Sequence, residues 1–391
     1  MSKKRLLTPG PTPIPEEVRL AMARDMIHHR KDEFKSILRE TQKDLRYLFG
    51  TGQPVLPLSS SGTGAMTAAV NNLFSPGEQV VVIEGGKFGQ RWSDIAQARG
   101  LEVIALPIEW GQPVRIADVE NALSRWPDVS GLLVQASETS TGVLHPVRDL
   151  AALCGKKGIL SVVDGISAVG VSPCPMDEWG IDCLLTGSQK GLMLPPGMAF
   201  VALSERAWSK TDEVKPKDFY FDLPREKDKS ALNQTLFTSP VSLVIGLHRV
   251  LQMFREQGLE DVYARQRALT AMTRTGVRAM GLDLLVSEAY TLGLTSVLLP
   301  PGIDGTRLLE VAAAKYGVVM AGGQDHLKGR IVRIGHMGYV DWGDILAGLT
   351  ALNGAFLECG GFSGSRDYLE RAAAAYRTKF ECQKTQDEPA A

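Results

Sequence analysis

Cysteine is scarce in this chain of 391 residues, and no pattern typical of a metal site occurs. The five cysteines are scattered, odd in number and without a CxxC pair, which argues against a disulfide framework or a zinc centre. The six histidines form no HExxH pattern. We therefore expect reduced thiols, several of them buried, and no bound metal.

The sequence also lacks long apolar segments and an excess of charge of one sign. No stretch is long and apolar enough to cross a bilayer, and the amino terminus contains no apolar segment of signal-peptide length. There are 43 Lys and Arg residues against 44 Asp and Glu residues, and no block of basic residues is interleaved with aromatics. The sequence thus predicts a cytoplasmic protein that binds neither membrane nor nucleic acid.

Nucleotide-binding fingerprints are missing as well, although one glycine-rich turn is present. Residues 59–64, SSSGTG, lead into a predicted helix over 65–74, but no third glycine follows and no GK[ST] occurs. Free backbone amides, hydroxyls and the positive end of a helix dipole allow such a turn to bind a phosphate. A plain serine helix cap explains the same residues equally well from sequence alone.

Strands and helices alternate over 55–203. Apolar runs bounded by turn residues predict strands that include 79–83, 131–135, 159–163 and 181–185. This alternation predicts an α/β fold with a mainly parallel sheet that is covered on both faces.

The chain divides into four predicted parts. A proline-rich arm (1–15) precedes a large domain (16–257), and Gly258 marks the boundary. Residues 258–380 predict a smaller α+β domain, and the polar tail over 381–391 predicts disorder.

Two predicted strands end in polar residues that indicate a function. Asp164 follows the apolar run 159–163, and Lys190 follows the run 181–185 and the turn TGSQ. The carboxyl ends of parallel strands face a shared crevice, so these side chains are expected to meet there. A carboxylate near a lysine amine suits pyridoxal phosphate, which has a basic ring nitrogen and an aldehyde. Alternatively, Asp164 caps the next helix and Lys190 is merely solvated.

An aromatic residue follows another predicted strand. Phe88 lies in EGGKFG directly after the strand over 79–83, so its ring would reach the rim of the same crevice and stack on a planar cofactor. An isolated phenylalanine is also common in a core, and local sequence does not decide between the two. The strand over 131–135 is followed by ETSTG, so several strand ends are expected to converge on one site.

The residues around these positions resemble class V aminotransferases, most closely the alanine-glyoxylate and serine-glyoxylate branch. The similar motifs occur in the family's order over nearly the whole chain and read TPGPTPIP, SSSGTGAM, GGKFGQRWSDIA, ETSTGVLHP, VDGISAVG, TGSQKG, LPPGMAFV, TLFTSPV and VRIGHMG. The resemblance implies the fold of pyridoxal-phosphate-dependent transferases of the aspartate aminotransferase type. That fold has a large domain with a mainly parallel sheet of the seven-stranded type and a smaller carboxyl-terminal α+β domain.

The resemblance also implies how the cofactor would be bound. Lys190 corresponds to the lysine that forms a Schiff base with it, and Asp164 corresponds to the partner of the ring nitrogen. The other implied contacts are Ser61, Gly62, Thr63 and Gln189 for the phosphate, Phe88 and Ile166 for the two faces of the ring, and Thr139 for the ring hydroxyl.

Substrate and subunit contacts are implied in the same way. Arg333 in VRIGHMG corresponds to the residue that binds the substrate carboxylate, and Gly10 in TPGPTPIP corresponds to a backbone position in the substrate pocket. Thr238 corresponds to a phosphate contact from a second subunit, which implies a homodimer with shared active sites. Thr235 stands where some relatives have a tyrosine that also contacts the phosphate.

The implied reaction is ping-pong transamination from a small amino acid, alanine or serine, to glyoxylate or pyruvate. The segment MIHHR at 26–30 resembles the substrate-phosphate pocket of phosphoserine aminotransferases, which are the alternative within the family. A cysteine desulfurase is disfavoured, because Gln189 replaces the histidine of those enzymes and no cysteine occurs over 207–333. A catalytically silent subunit of the same fold is the alternative from another class.

Overall fold

A seven-stranded sheet lies at the centre of the fold, and its strands form where the apolar runs predict them. The computed structural model describes residues 4–362 and 364–387. The strands, in chain order, are β1 (Arg5–Leu6), β2 (Val55–Leu58), β3 (Gln79–Glu84), β4 (Glu102–Pro107), β5 (Val129–Gln135), β6 (Ser137–Glu138), β7 (Val143–Leu144), β8 (Leu160–Asp164), β9 (Cys183–Gly187), β10 (Ala199–Leu203), β11 (Asp283–Leu284), β12 (Leu294–Leu298), β13 (Val318–Val319), β14 (Ala321–Gly322) and β15 (Ile331–Gly335).

Helices occupy most of the intervals between the strands. They are α1 (Glu16–Met22), α2 (Asp32–Phe49), α3 (Gly62–Leu73), α4 (Lys87–Arg99), α5 (Ile116–Arg125), α6 (Val147–Lys157), α7 (Met176–Trp179), α8 (Glu205–Glu213), α9 (Leu223–Ala231), α10 (Val241–Gln257), α11 (Leu259–Ala279), α12 (Gly305–Tyr316), α13 (Trp342–Glu358) and α14 (Tyr368–Asp387). Within the described ranges, no helix combines the length and the apolarity needed to cross a membrane.

The large sheet has the strand order β2-β10-β9-β8-β5-β3-β4. Neighbouring strands from β9 to β4 pair in parallel, whereas β10 runs antiparallel to both β2 and β9. The predicted α/β fold with a mainly parallel sheet is therefore confirmed. Because β3, β5, β8 and β9 are parallel neighbours, their carboxyl ends lie together at one end of the sheet.

Alternating side chains in the strands fill a core on each face of the large sheet. In β3, Val81 and Ile83 belong to a cluster that includes side chains of α2 and α10, while Val80 and Val82 belong to the opposite cluster with α3 and α4. All four of these side chains are fully buried. Burial on both faces fixes the register of the strands, because a shift by one residue would exchange the two cores.

The carboxyl-terminal part is built on a smaller antiparallel sheet with the order β11-β12-β15-β14. Its core takes apolar side chains from α11, α12, α13 and α14, and Leu7 joins them from the amino-terminal segment. That segment is attached by β1, which pairs in parallel with β13. The domain boundary predicted at Gly258 falls between α10 and α11.

One predicted helix starts later than expected. The sequence predicts a helix from Gln234, but α10 begins at Val241 and the preceding residues are irregular. The nearest cause is Pro240, the N-cap residue, which has no backbone N–H and cannot lie inside a regular helix. The Arg30 guanidinium then binds the irregular segment by donating hydrogen bonds to the carbonyl oxygens of Thr235 (2.8 Å) and Leu236 (3.4 Å).

The predicted disordered tail over 381–391 overlaps the last helix. α14 continues through Asp387, and residues 388–391 lie outside the described residues. A run of four alanines and the absence of Gly and Pro over 365–388 favour this continuation, since both residue types interrupt helices.

Candidate active site

A cavity of about 370 Å³ lies at the carboxyl ends of the central strands. The predicted site residues that line it are Gly10, Ser61, Gly62, Thr63, Phe88, Thr139, Asp164, Ile166, Gln189 and Lys190. Pro11, Arg91, Ser137, Ser167 and Pro196 complete the lining. The convergence of strand ends expected from the sequence is thus present in one cavity.

Lys190 extends into this cavity from the turn after β9. Its Nζ donates a hydrogen bond to the carbonyl oxygen of Pro9. Burial lowers the pKa of the Lys190 amine to about 8, an effect that Asp164 opposes and that Arg333 and Arg91 reinforce. A substantial fraction of this amine is therefore neutral near physiological pH, as a nucleophile or a general base requires.

Gly10 has no side chain, and the side chain of Lys190 occupies the space beside it. Its φ is +129°, and a Cβ at this position would lie 2.6 Å from Cδ and Cε of Lys190. Both the backbone conformation and the close approach therefore require glycine here.

Asp164 ends β8 and is 5% exposed. Its Oδ1 accepts a hydrogen bond of 2.7 Å from the Ile166 amide, while Oδ2 accepts none from the described residues. Burial raises the pKa of this carboxyl to about 7, and Glu138 adds to the increase, whereas the Ile166 amide, Lys190 and Arg91 lower it. A cationic partner in the cavity would lower that pKa and would satisfy the second oxygen.

The serine-rich turn lies at the amino terminus of α3. Ser61 is the N-cap residue, yet its side chain caps no amide of the helix, so the hydroxyl is free to bind a ligand. Gly62 packs closely against Ile166, since a Cβ there would lie 2.4 Å from Cδ1 of that side chain. Hydroxyls, open amides and the helix dipole make this turn suitable for an anion.

Phe88 lies in the first turn of α4, and Arg91 follows one turn later. The Arg91 guanidinium is 4.9 Å from the centroid of the Phe88 ring and donates a hydrogen bond of 3.3 Å to Oγ1 of Thr63. Sequence reasoning named Phe88 and Thr63 but missed Arg91. The spacing of three residues on a helix that follows a strand end was the available signal.

Arg333 lies in β15, outside the set of residues that line the cavity, and contacts Thr139, which belongs to that set. Its Nη1 donates to the carbonyl oxygen of Thr139 (2.6 Å), and its Nε donates to the carbonyl oxygen of Gly322 (2.8 Å). Burial lowers the pKa of Arg333, and Glu138 opposes this shift. Nη2 donates to none of the described residues, so it can bind a carboxylate.

Thr238 is separate from the cavity of its own chain. It is exposed and lies in the irregular segment before α10, where it lines neighbouring surface cavities with Phe237 and Pro240. Its predicted contact with the phosphate of a second subunit stays a prediction. Thr235, close by in the same segment, hydrogen-bonds to Ser239 and to the Phe237 carbonyl oxygen.

These residues fit pyridoxal phosphate. A lysine amine with a lowered pKa, a buried carboxylate with an open oxygen and an anion-binding helix terminus line one cavity. Among the residues that the structure describes, no cluster of three or more His, Cys, Asp or Glu side chains is arranged to bind a metal ion.

The chain belongs to the class-V aminotransferase family, whose family model matches residues 8–334. It is 37% identical to a protein of Synechococcus sp. named soluble hydrogenase, small subunit, over 92% of this chain and 94% of that protein. It is also 31% identical to the serine–glyoxylate aminotransferase of Methylorubrum extorquens, over 92% of each chain. Both similarities extend over nearly the full length of the proteins.

A solved structure agrees with the family assignment. The ureidoglycine-glyoxylate aminotransferase of Bacillus subtilis superposes with a TM-score of 0.90 at 27% identity, covering 96% of this chain and 99% of that one. The predicted family and fold are confirmed. The protein is a transaminase, and its cofactor is pyridoxal phosphate.

Proposed function

We propose that this aminotransferase transfers the amino group of alanine or serine to glyoxylate or pyruvate by a ping-pong mechanism. The observation that carries the proposal is how few charged side chains line the active-site cavity. Its charged lining residues are Arg91, Asp164 and Lys190, while Ser137 and Ser167 add only hydroxyls. Glyoxylate is the acceptor named for the Methylorubrum and Bacillus relatives.

The residues divide the chemical work between them. When bound, the cofactor supplies an aldehyde that condenses with amines and a ring that withdraws electrons. Lys190, as a neutral amine, would hold the cofactor through its aldehyde and would also move the proton that leaves and returns at the substrate carbon. The Asp164 carboxylate would hold the ring nitrogen in its protonated form and stabilise its charge. Arg333 orients the substrate through its α-carboxylate.

Phosphoserine is the weaker candidate as donor. The Arg30 guanidinium of the MIHHR segment donates to Gln234 Oε1 (3.0 Å) as well as to the carbonyl oxygens of Thr235 and Leu236. This cation thus stabilises its own chain and leaves less capacity for a substrate phosphate.

The donor is tested by following the absorbance of the bound cofactor as single amino acids are added without an acceptor. L-Alanine or L-serine should convert the spectrum to that of the aminated form. Arg333→Ala should raise the apparent KM of both donors by about 10- to 100-fold, because the charged hydrogen bonds to the carboxylate are lost. Conversion by L-phosphoserine or L-aspartate alone would contradict the proposed donors, and no conversion by any amino acid would favour the silent subunit.

A homodimer in the cytoplasm completes the proposal. Thr238 is exposed outside the cavity of its own chain, as a residue that serves a second subunit must be. Sedimentation equilibrium should give a dimer, and Thr238→Ala should weaken cofactor binding. A monomer with full cofactor occupancy would contradict the shared site.

A further inference from the structure

Glu138 is a fully buried carboxylate next to the active site, and it has no role in the reaction described above. It ends β6, and the residues on either side of it, Ser137 and Thr139, line the cavity. Because successive side chains of an extended segment point in opposite directions, Glu138 points away from the cavity. Its contacts are therefore with the protein.

One carboxylate oxygen of Glu138 binds the amino terminus of α4. Oε2 accepts hydrogen bonds from the backbone amides of Phe88 and Gly89, both at 3.2 Å, and from Nε2 of Gln135 at 3.0 Å. The N-cap residue of α4 is Gly86, which has no side chain to cap the helix. Glu138, in β6, thus takes the place of the capping side chain that Gly86 lacks. A negative charge at the amino terminus of α4 is also favoured by the helix dipole.

The other oxygen binds the turn that follows β6. Oε1 accepts hydrogen bonds from the amide (3.0 Å) and the hydroxyl (2.5 Å) of Ser140, and Oγ of Ser140 accepts one from the Lys87 amide (3.1 Å). The turn therefore binds to α4 through both Glu138 and Ser140. Thr139, between them, accepts the hydrogen bond from Arg333 through its carbonyl oxygen.

Gly86 allows this close contact. A Cβ on Gly86 would lie 2.3 Å from Oγ of Ser140 and 2.4 Å from Cδ of Glu138. The backbone at this glycine is extended, so the requirement for glycine comes from the approach of the two segments.

From these contacts we propose that Glu138 is a positioning residue of the transaminase: its carboxylate fixes the Phe88 ring, Thr139 and, through the Thr139 carbonyl, Arg333 in one arrangement. The inference rests on the proposed roles of Phe88, Thr139 and Arg333. Loss of the carboxylate should therefore change cofactor binding and donor binding together.

The test compares Glu138→Gln with Asp182→Asn. The amide of Gln has an acceptor oxygen on one side and an NH₂ group that only donates on the other, so it cannot accept hydrogen bonds on both sides as the carboxylate does. Asp182 is a matched control, because it is also buried and accepts hydrogen bonds from Ser161, Ser204 and Arg206, but it lies at the amino ends of the strands. Asp182→Asn removes a similar network far from the cavity.

We expect Glu138→Gln to raise the dissociation constant of pyridoxal phosphate and the donor KM by about tenfold each, the effect of a buried hydrogen bond left unmade. The circular dichroism of the bound cofactor should change as well. Asp182→Asn should lower the unfolding temperature and leave all three quantities unchanged. The proposal would be overturned if Glu138→Gln had the same cofactor dissociation constant and donor KM as the wild type. It would also be overturned if Glu138→Gln and Asp182→Asn changed these two constants equally.

A double-mutant cycle tests whether Glu138 acts through Phe88. In a Phe88→Leu background, Glu138→Gln should change the cofactor dissociation constant less than it does in the wild type. If the two substitutions change the free energy of cofactor binding additively, the proposal is overturned. If Glu138→Gln does not fold, Ser140→Ala removes part of the same network and should shift the dissociation constant in the same direction, and no shift would count against the proposal.

The cofactor measurements require neither an amino donor nor an acceptor. A wrong assignment of alanine, serine or glyoxylate would therefore leave them intact. If Phe88→Leu alone leaves cofactor affinity unchanged, the role of Phe88 is wrong, and the proposal for Glu138 fails with it.

Discussion

Two aspartates near opposite ends of adjacent strands of the large sheet have opposite environments. Asp164 ends β8 in the active site and accepts a single hydrogen bond, from a backbone amide. Asp182, directly before β9, accepts hydrogen bonds from Ser161, Ser204 and Arg206. They are 5% and 3% exposed, so burial alone does not distinguish them.

The difference lies in how many partners the protein supplies. The fold satisfies Asp182 completely, and this carboxylate ties together β8, β9 and the start of α8. At Asp164 the fold leaves one oxygen open, and burial raises the pKa of the carboxyl to about 7. A buried polar group without its full set of partners destabilises the protein, and a ligand can supply the missing partner.

The largest expected effect is at Lys190. Lys190→Ala removes both the nucleophile and the general base, so transamination should fall by at least about 10³-fold. Steady-state rates with alanine and glyoxylate measure this change. A variant that retained normal turnover would show that another group carries the chemistry.

Asp164→Asn should reduce kcat by about 10²-fold, because the charge opposite the ring nitrogen is lost. The same variant should leave the stability of the cofactor-free protein unchanged or increase it, since the carboxylate is poorly solvated there. Urea unfolding of wild type and variant checks the second part. A marked loss of stability would show that Asp164 is as structural as Asp182.

Asp182→Asn should show the reverse behaviour. Ser161 and Ser204 would lose a carboxylate acceptor, at a cost of about 2 to 3 kcal/mol in the free energy of unfolding. Arg206 would lose its partner as well, but its guanidinium is partly exposed and water can replace the carboxylate. The kcat of the folded variant should equal that of the wild type. If Asp182→Asn changed kcat but not stability, the two aspartates would not differ in role as described.

The smallest expected effect is the pH dependence of the free energy of unfolding. In the cofactor-free protein the pKa of Asp164 is raised from 3.8 to about 7, so the folded state retains a proton that the unfolded state has released. Stability from this group should therefore fall as pH rises through that window, by about 2 kcal/mol between about pH 5 and pH 7. Asp164→Asn should lack this component. Parallel pH profiles for the two proteins would contradict the raised pKa.

Local sequence predicted the residues that end apolar runs. Asp164, Lys190 and Phe88 follow such runs. If the runs form parallel strands, the residues after them lie at the same edge of the sheet, so their proximity can be predicted without knowing any tertiary contact. Glu138 also follows a predicted strand, but the polar residues around it are typical of a strand end that is exposed to solvent. Only the approach of α4, which lies some fifty residues earlier in the chain, buries it.

The irregular segment before α10 was missed although the sequence contains a local signal for it. Pro240 prevents a continuous helix from Gln234, because it has no backbone N–H to donate to the carbonyl oxygen of Leu236, and α10 begins directly after it. The Arg30 guanidinium and the Glu226 carboxylate, which accepts a hydrogen bond of 2.8 Å from the Leu236 amide, hold the irregular segment in another conformation. The start of α10 could therefore have been predicted from Pro240, whereas the contacts that fix the irregular segment come from distant residues and could not.

The central claim is that Lys190 is the covalent attachment site of the cofactor. Reduction of the purified enzyme with borohydride, followed by mass spectrometry of its peptides, tests this directly. We predict that the pyridoxyl group will be found on Lys190 in the wild type and on no lysine in Lys190→Ala. A label on a different lysine of the wild type, or none in an enzyme saturated with the cofactor, would contradict the account.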